Sequence, residues 1–159
     1  MAKTRRKPPA EIYRNMSAIR SRDNRTEVAL RGVLHRMGLR FRLHDARLAG
    51  RPDIVFPAGR VAVFVDGDFW HAREMLSSSG RKLPSRLVRL PRTSRDYWLA
   101  KFRRRIAIDK EATQTLRRAG WEVIRLWESD VRRNADAAAQ YVRRRVIARR
   151  SLLATKKVL

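Results

Sequence analysis

The chain has 159 residues, 43% of them hydrophobic, enough for one domain with its own core, and 39 lysines and arginines against 15 acidic residues leave a formal charge of +24. Such an excess points to a polyanionic partner, nucleic acid first. Zero cysteines exclude a disulfide framework, an iron–sulfur cluster and a thiolate zinc site, and three histidines argue against a histidine-only metal cage.

In chain order, Met1 to Pro9 is basic, with two prolines and no periodicity, so residues 1–11 read as a flexible arm suited to a phosphate backbone. This stretch lacks the apolar core of a secretory signal, and no apolar run reaches the length of a membrane span, so the expectation is a soluble, intracellular protein. From Thr26, the positions Leu30, Val33, Leu34 and Met37 follow a helical stripe that Gly38 ends. Phe41 and Leu43 alternate with arginine as a short strand. Ile54 to Phe56 and Val61 to Val65 then read as two strands joined by a tight turn, the second apolar on both faces and therefore central.

Residues 72–95 carry Ser77-Ser78-Ser79-Gly80, Pro84 and Pro91 without any period, which predicts a long surface loop. Ser94 is the expected cap of a long helix bearing Trp98, Phe102, Ile106 and Leu116, ending at Gly120. Trp121 to Trp127 reads as a strand, Asn134 as the cap of a last helix with Tyr141, Val142 and Val146, and residues 148–159 as a basic tail. The order predicts an α/β fold with a mixed central sheet flanked by helices.

Several polar residues have two readings each. Asp53 opens one strand of the hairpin and Asp66 closes the other, which suits a magnesium site of one or two carboxylates; both positions also suit ordinary turns. His71 stands five residues after Asp66, close enough for general-base work, and equally fits plain packing. Phe69 and Trp70 suit a wedge between bases or a cover for the sheet edge. Glu27 suits the helix dipole, and Asp109 an ion pair within its helix. His35 and His44 have no acidic motif around them and read as packing or surface residues. The 32 arginines against 7 lysines favour bidentate phosphate contacts, although a GC-rich coding bias produces the same excess.

Read as an ordered set, several segments resemble the very-short-patch repair (Vsr) endonuclease family, which nicks DNA beside thymine–guanine mismatches. They are Asn15-Met16-Ser17-Ala18-Ile19 followed by Glu27; Gly38 to Arg42; Gly50-Arg51-Pro52-Asp53; Val63 to His71; Pro91-Arg92-Thr93; Tyr97-Trp98 with Lys101 and Asp109; and Gly120-Trp121 through Trp127-Glu128. The likeness covers roughly residues 12–130 and implies a restriction-endonuclease-like core over residues 12–147.

It further implies magnesium-dependent phosphodiester hydrolysis, with Asp53 and the Val65 carbonyl holding the cation and Glu27 binding its coordinated water. His71 would be the general base, and Asp109 would orient its ring. Met16, Phe69 and Trp70 match residues that enter the duplex at the mismatch, and Lys101 is a further expected DNA contact. The implied setting is the bacterial cytoplasm at the nucleoid, with double-stranded DNA, mismatched or not, as partner, no membrane partner, a monomeric enzyme, and room for repair proteins.

The departures from the family pattern are informative. Its structural zinc is not expected here, because Asp68, Arg73, Met75 and Ser129 occupy the ligand positions, and an Asp68–Arg73 salt bridge is the expected replacement. Asp66 stands where a histidine is familiar, offering a second carboxylate near the metal, and Arg105 replaces a typical asparagine. Both changes leave open a homing or mobile-element endonuclease that cuts a matched sequence. Composition by itself also permits a non-catalytic nucleic-acid-binding protein.

Overall fold

The computed structural model describes residues 25–68, 71, 73 and 92–156. Its elements are α1 (Arg25–Arg36), β1 (Arg42–Leu43), β2 (Ile54–Phe56), β3 (Val61–Asp66), α2 (Arg92–Arg118), β4 (Glu122–Trp127), α3 (Glu128–Arg133) and α4 (Ala135–Thr155). The four strands form one sheet in the order β1-β2-β3-β4, antiparallel except for the parallel pair β3 and β4. This is the expected mixed sheet with flanking helices, and β3 is central, with all six of its residues buried.

Alternation along β3 decides which helix covers which face. Val61, Val63 and Val65 join Leu30 and Leu34 of α1, Val131 of α3, and Ala139, Val142 and Val146 of α4 in the larger core. Ala62 and Phe64 point the other way and meet Leu116 of α2. Three layers result, with α2 alone among the described helices on the second face. Because Asp66 continues the 62, 64 series, its carboxylate belongs to the α2 side, and Arg125, two residues beyond Val123, shares that side.

The local signals act as their chemistry requires. Glu27 in the first turn of α1 and His35 and Arg36 in the last complement the helix dipole. Gly38, at φ 78°, turns the chain so that the Leu39 N–H donates back to the Leu34 carbonyl at 3.1 Å. Asn134 caps α4, its side-chain oxygen accepting the Ala137 N–H at 2.9 Å. The link from β2 to β3 is a 3-10 turn, Pro57–Gly59, whose left-handed residue is Arg60 at φ 50° rather than Gly59.

Three boundaries differ from expectation. α2 begins at Arg92, not after Ser94, so residues 92–95 are helix rather than loop. Arg92 directly follows Pro91, and nothing between them and Ser94 opposes helix, so the hydroxyl is not needed as a cap. The short α3 follows β4 without a loop, and α4 continues through Thr155, into the stretch expected to be a basic tail. Residues 1–11, most of the expected loop, Met16, Phe69 and Trp70 lie outside the described residues.

Candidate active site

Two groups of polar side chains converge at the end of the sheet where β3 finishes. The register that pairs Ile54 with Val63 puts Asp53 one step beyond β2, beside the last residues of β3. There Asp53 Oδ2 accepts the backbone N–H of Val65 at 2.7 Å. The register that pairs Leu43 with Ile54 likewise brings His44 opposite Asp53: the His44 N–H reaches the Asp53 carbonyl at 3.3 Å, and Nδ1 lies 3.7 Å from Oδ1. Glu27 arrives from α1, only 3% exposed.

Glu27, His44 and Asp53 each offer a ligand atom, and these atoms lie within 4.8 Å of one another. Two carboxylates and an imidazole are a donor set that fits a divalent cation. Burial pushes the Asp53 carboxyl above its ordinary value, and the hydrogen bond from Val65 opposes this without reversing it. Arg31 reaches into the same corner, with one guanidinium nitrogen 2.8 Å from Glu27 Oε2 and 2.9 Å from His44 Nε2.

The second group lies on the α2 side. His71 Nδ1 is 2.6 Å from Asp109 Oδ2 and 3.3 Å from Asp66 Oδ1. The His71 N–H donates to the Gly67 carbonyl at 3.0 Å, so the turn after β3 carries the ring toward α2. Burial alone would raise the Asp109 carboxyl, but the hydrogen bond and charge of His71, with Arg125 and Arg105 nearby, hold it below the ordinary carboxylate value. Arg105 lies across the imidazole, its nitrogens 3.5 Å from both Nδ1 and Nε2, and pairs with Asp109 Oδ1 at 3.2 Å. Asp66 is buried and engaged by both forks of Arg125 at 2.6 Å. Lys101, half-buried on α2, holds its ammonium 4.9 Å from the Trp98 ring centroid, on the same helix face as Arg105 and Asp109 by i, i+4 spacing.

All the described candidates except Lys101 therefore share contacts at one end of the sheet. Asp53 and Val65 touch, Glu27 joins Asp53, and His71 meets both Asp109 and Asp66. Asp66 makes its contacts with Arg125 and His71 rather than in the Glu27, His44, Asp53 cluster. His44, Arg31 and Arg125 are participants that reading residue by residue missed. Pairing β1 with β2 would have placed His44 opposite Asp53, and a lone arginine within Val123-Ile124-Arg125-Leu126 was the visible sign of Arg125.

Beside this site, Arg73 donates to Asp68 Oδ1 at 2.9 Å and pairs with Asp130 at 2.9 Å. The Ser129 hydroxyl and N–H also donate to Asp68, at 2.6 and 2.9 Å. The expected Asp68–Arg73 bridge is present as part of a network joining the end of β3 to the start of α3. A guanidinium has no lone pair for a metal, so Asp68, Arg73 and Ser129 do not fit a zinc ion.

The family model described as DNA mismatch endonuclease Vsr matches residues 7–77. A type II nicking enzyme, V.NmeDIP of Neisseria meningitidis serogroup C, is 35% identical over 138 residues, covering 87% of each chain. Another, V.NaeI of Lentzea aerocolonigenes, is 39% identical over 130 residues, 79% of this chain and 72% of that one. The DNA mismatch endonuclease Vsr of Escherichia coli strain K12 is 34% identical over 119 residues, 75% of this chain and 70% of that one. With relatives of this similarity and coverage, and a mixed sheet that gathers carboxylates and a histidine at one strand end, the chain belongs to the Vsr family of DNA endonucleases.

Proposed function

We propose that this chain is a magnesium-dependent endonuclease that nicks one strand of duplex DNA at or near a T:G mismatch, as the first step of very-short-patch repair. The observation that carries the reading is His71 Nδ1 at 2.6 Å from Asp109 Oδ2, next to a cluster of Glu27, His44 and Asp53. Asp53, with Glu27 and His44 beside it and the Val65 backbone behind it, would hold the cation. A bound divalent cation there would offset the charge that develops on the phosphate oxygens.

This chain's own residues do the rest. His71, with its Nδ1–H donating a hydrogen bond to Asp109, presents Nε2 to water and accepts the proton as the water attacks the phosphodiester in line. Asp109 keeps the ring in that tautomer and balances the imidazolium that results. Arg105 lies beside Nε2, so its guanidinium can hold a non-bridging phosphate oxygen. The products are a 5′-phosphate and a 3′-hydroxyl. Met16, Phe69 and Trp70 are proposed to enter the duplex, and Lys101 to contact its backbone, in a monomeric enzyme of the bacterial cytoplasm that hands its nick to repair proteins.

A second reading is favoured by the names of two relatives, which are type II nicking enzymes: the chain would nick a defined, matched sequence. One experiment separates the readings. Purified protein with Mg²⁺ is assayed on T:G and matched duplexes of varied sequence, with each strand resolved. Nicking restricted to one strand of T:G duplexes supports the repair reading, and equal nicking of a matched site supports the second. No magnesium-dependent cleavage of any duplex would leave a non-catalytic DNA-binding protein.

A further inference from the structure

Two carboxylates compete for one imidazole nitrogen in this site. His71 Nδ1 can offer at most one proton, yet Asp109 Oδ2 stands 2.6 Å from it and Asp66 Oδ1 3.3 Å from it. Asp66 is only 4% exposed, so water cannot satisfy it, and left alone it would draw the imidazole away from Asp109. We propose that Arg125 is a positioning residue: by occupying both oxygens of Asp66 and tethering Asp109, it leaves Asp109 Oδ2 as the acceptor that orients His71. This inference rests on the reading of His71 as the proton acceptor.

The guanidinium is placed for that task. Nε meets Asp66 Oδ2 and one terminal nitrogen meets Oδ1, both at 2.6 Å, the planar fork-to-fork arrangement that saturates a carboxylate. That same terminal nitrogen is 3.2 Å from Asp109 Oδ1. The other one donates to the Asp109 carbonyl and to Thr113 Oγ1, each at 3.3 Å. Asp109 is thereby divided: Oδ1 goes to Arg125 and Arg105, and Oδ2 to His71.

The Phe64 ring, 4.6 Å from the guanidinium carbon, supports the plane from one side. With its side chain 23% exposed and its donors committed inward, Arg125 differs from the exposed arginines available to phosphate. Among the described residues, Asp66, Asp109 and Arg105 stand against the imidazole, and Arg125 stands behind the two carboxylates.

The test compares kcat and KM of the full chain and three variants, His71→Ala, Arg125→Met and Asp66→Asn/Arg125→Met, on the best-cleaved duplex of the T:G and matched panel with Mg²⁺. The expectation is a His71→Ala whose kcat falls by about two to four orders of magnitude, and an Arg125→Met whose kcat falls about 10- to 100-fold with KM within about twofold. Removing the competing charge in the double variant should restore kcat at least about fivefold over Arg125→Met. A merely structural role predicts that Arg125→Met lowers the melting temperature and the active fraction, while kcat per folded, active-site-titrated molecule stays at the wild-type value and does not change in the double variant. A double variant no faster than Arg125→Met, or a raised KM with unchanged kcat, overturns the inference while the reading of His71 stands. A fully active His71→Ala overturns both.

Should Arg125→Met fail to fold, Arg125→Lys carries the test, since it keeps a cation over Phe64 but not the fork. Its kcat should fall at least about threefold and recover with Asp66→Asn. No loss in Arg125→Lys overturns the assignment.

Discussion

The Asp53 carboxylate is tied to the Val65 backbone N–H at 2.7 Å, and the next residue of the same strand, Asp66, faces His71 at 3.3 Å. Consecutive residues of β3 thus carry the candidate metal cluster and the histidine pair. Burial inside the sheet gives both groups a rigid support, which is what a site needing alignment to a fraction of an ångström requires.

If His71 accepts the proton from water, His71→Ala should lower kcat by about two to four orders of magnitude. Duplex affinity, measured without Mg²⁺ by fluorescence anisotropy, should stay close to the wild-type value. Unchanged nicking would move the base elsewhere.

The cluster of Glu27, His44 and Asp53 makes different demands on its members. Asp53→Ala should abolish Mg²⁺-dependent cleavage, with no recovery in excess metal. His44→Ala should instead raise the Mg²⁺ concentration needed for half-maximal activity by about 10-fold or more. Cleavage by the Asp53 variant at high Mg²⁺ would place the cation elsewhere.

The loop that delivers Asp53 depends on Gly50. Its φ is 73°, and a Cβ there would stand 2.8 Å from the Ala112 Cβ and 3.3 Å from the Phe64 ring. Gly50→Ala combines backbone strain with a clash against α2, and should cost about 1 to 3 kcal/mol in urea denaturation. A stability equal to wild type would show that the loop shifts freely.

Asp68 supplies a pH signature. Burial raises its carboxyl, but hydrogen bonds from Ser129 and Arg73 outweigh this and hold it below the ordinary carboxylate value. A carboxylate whose folded value is depressed contributes stability above its unfolded value and loses it as pH falls through the folded one. The melting-temperature gap between wild type and Asp68→Asn should therefore be constant from about pH 8 to pH 5 and close below about pH 4. A gap that persists at the acidic end would assign it to packing.

The charge of +24 predicts that duplex affinity falls steeply with salt. Wedge residues would add a second effect. Phe69→Ala/Trp70→Ala should reduce the preference for mismatched over matched DNA more than it reduces binding to either. Equal losses on both duplexes would mark the two as packing residues.

Most of the secondary structure was legible in the chain because it depends on near neighbours. The stripe Leu30, Val33, Leu34 needs only a helical period, the Val61 to Val65 run only a buried strand, and Asn134 only the N–H three residues on. The ordered motifs also marked Glu27, Asp53, His71 and Asp109 before any contact was known. What tertiary structure decided is pairing between residues far apart in the chain. His44 meets Asp53 only because β1 lies beside β2 in one register, and Arg125 claims Asp66 only because β4 runs parallel to β3. A side-chain period is local, whereas a strand register is a property of the packed sheet, and that register divides the acidic residues between the Glu27, His44, Asp53 cluster and an arginine.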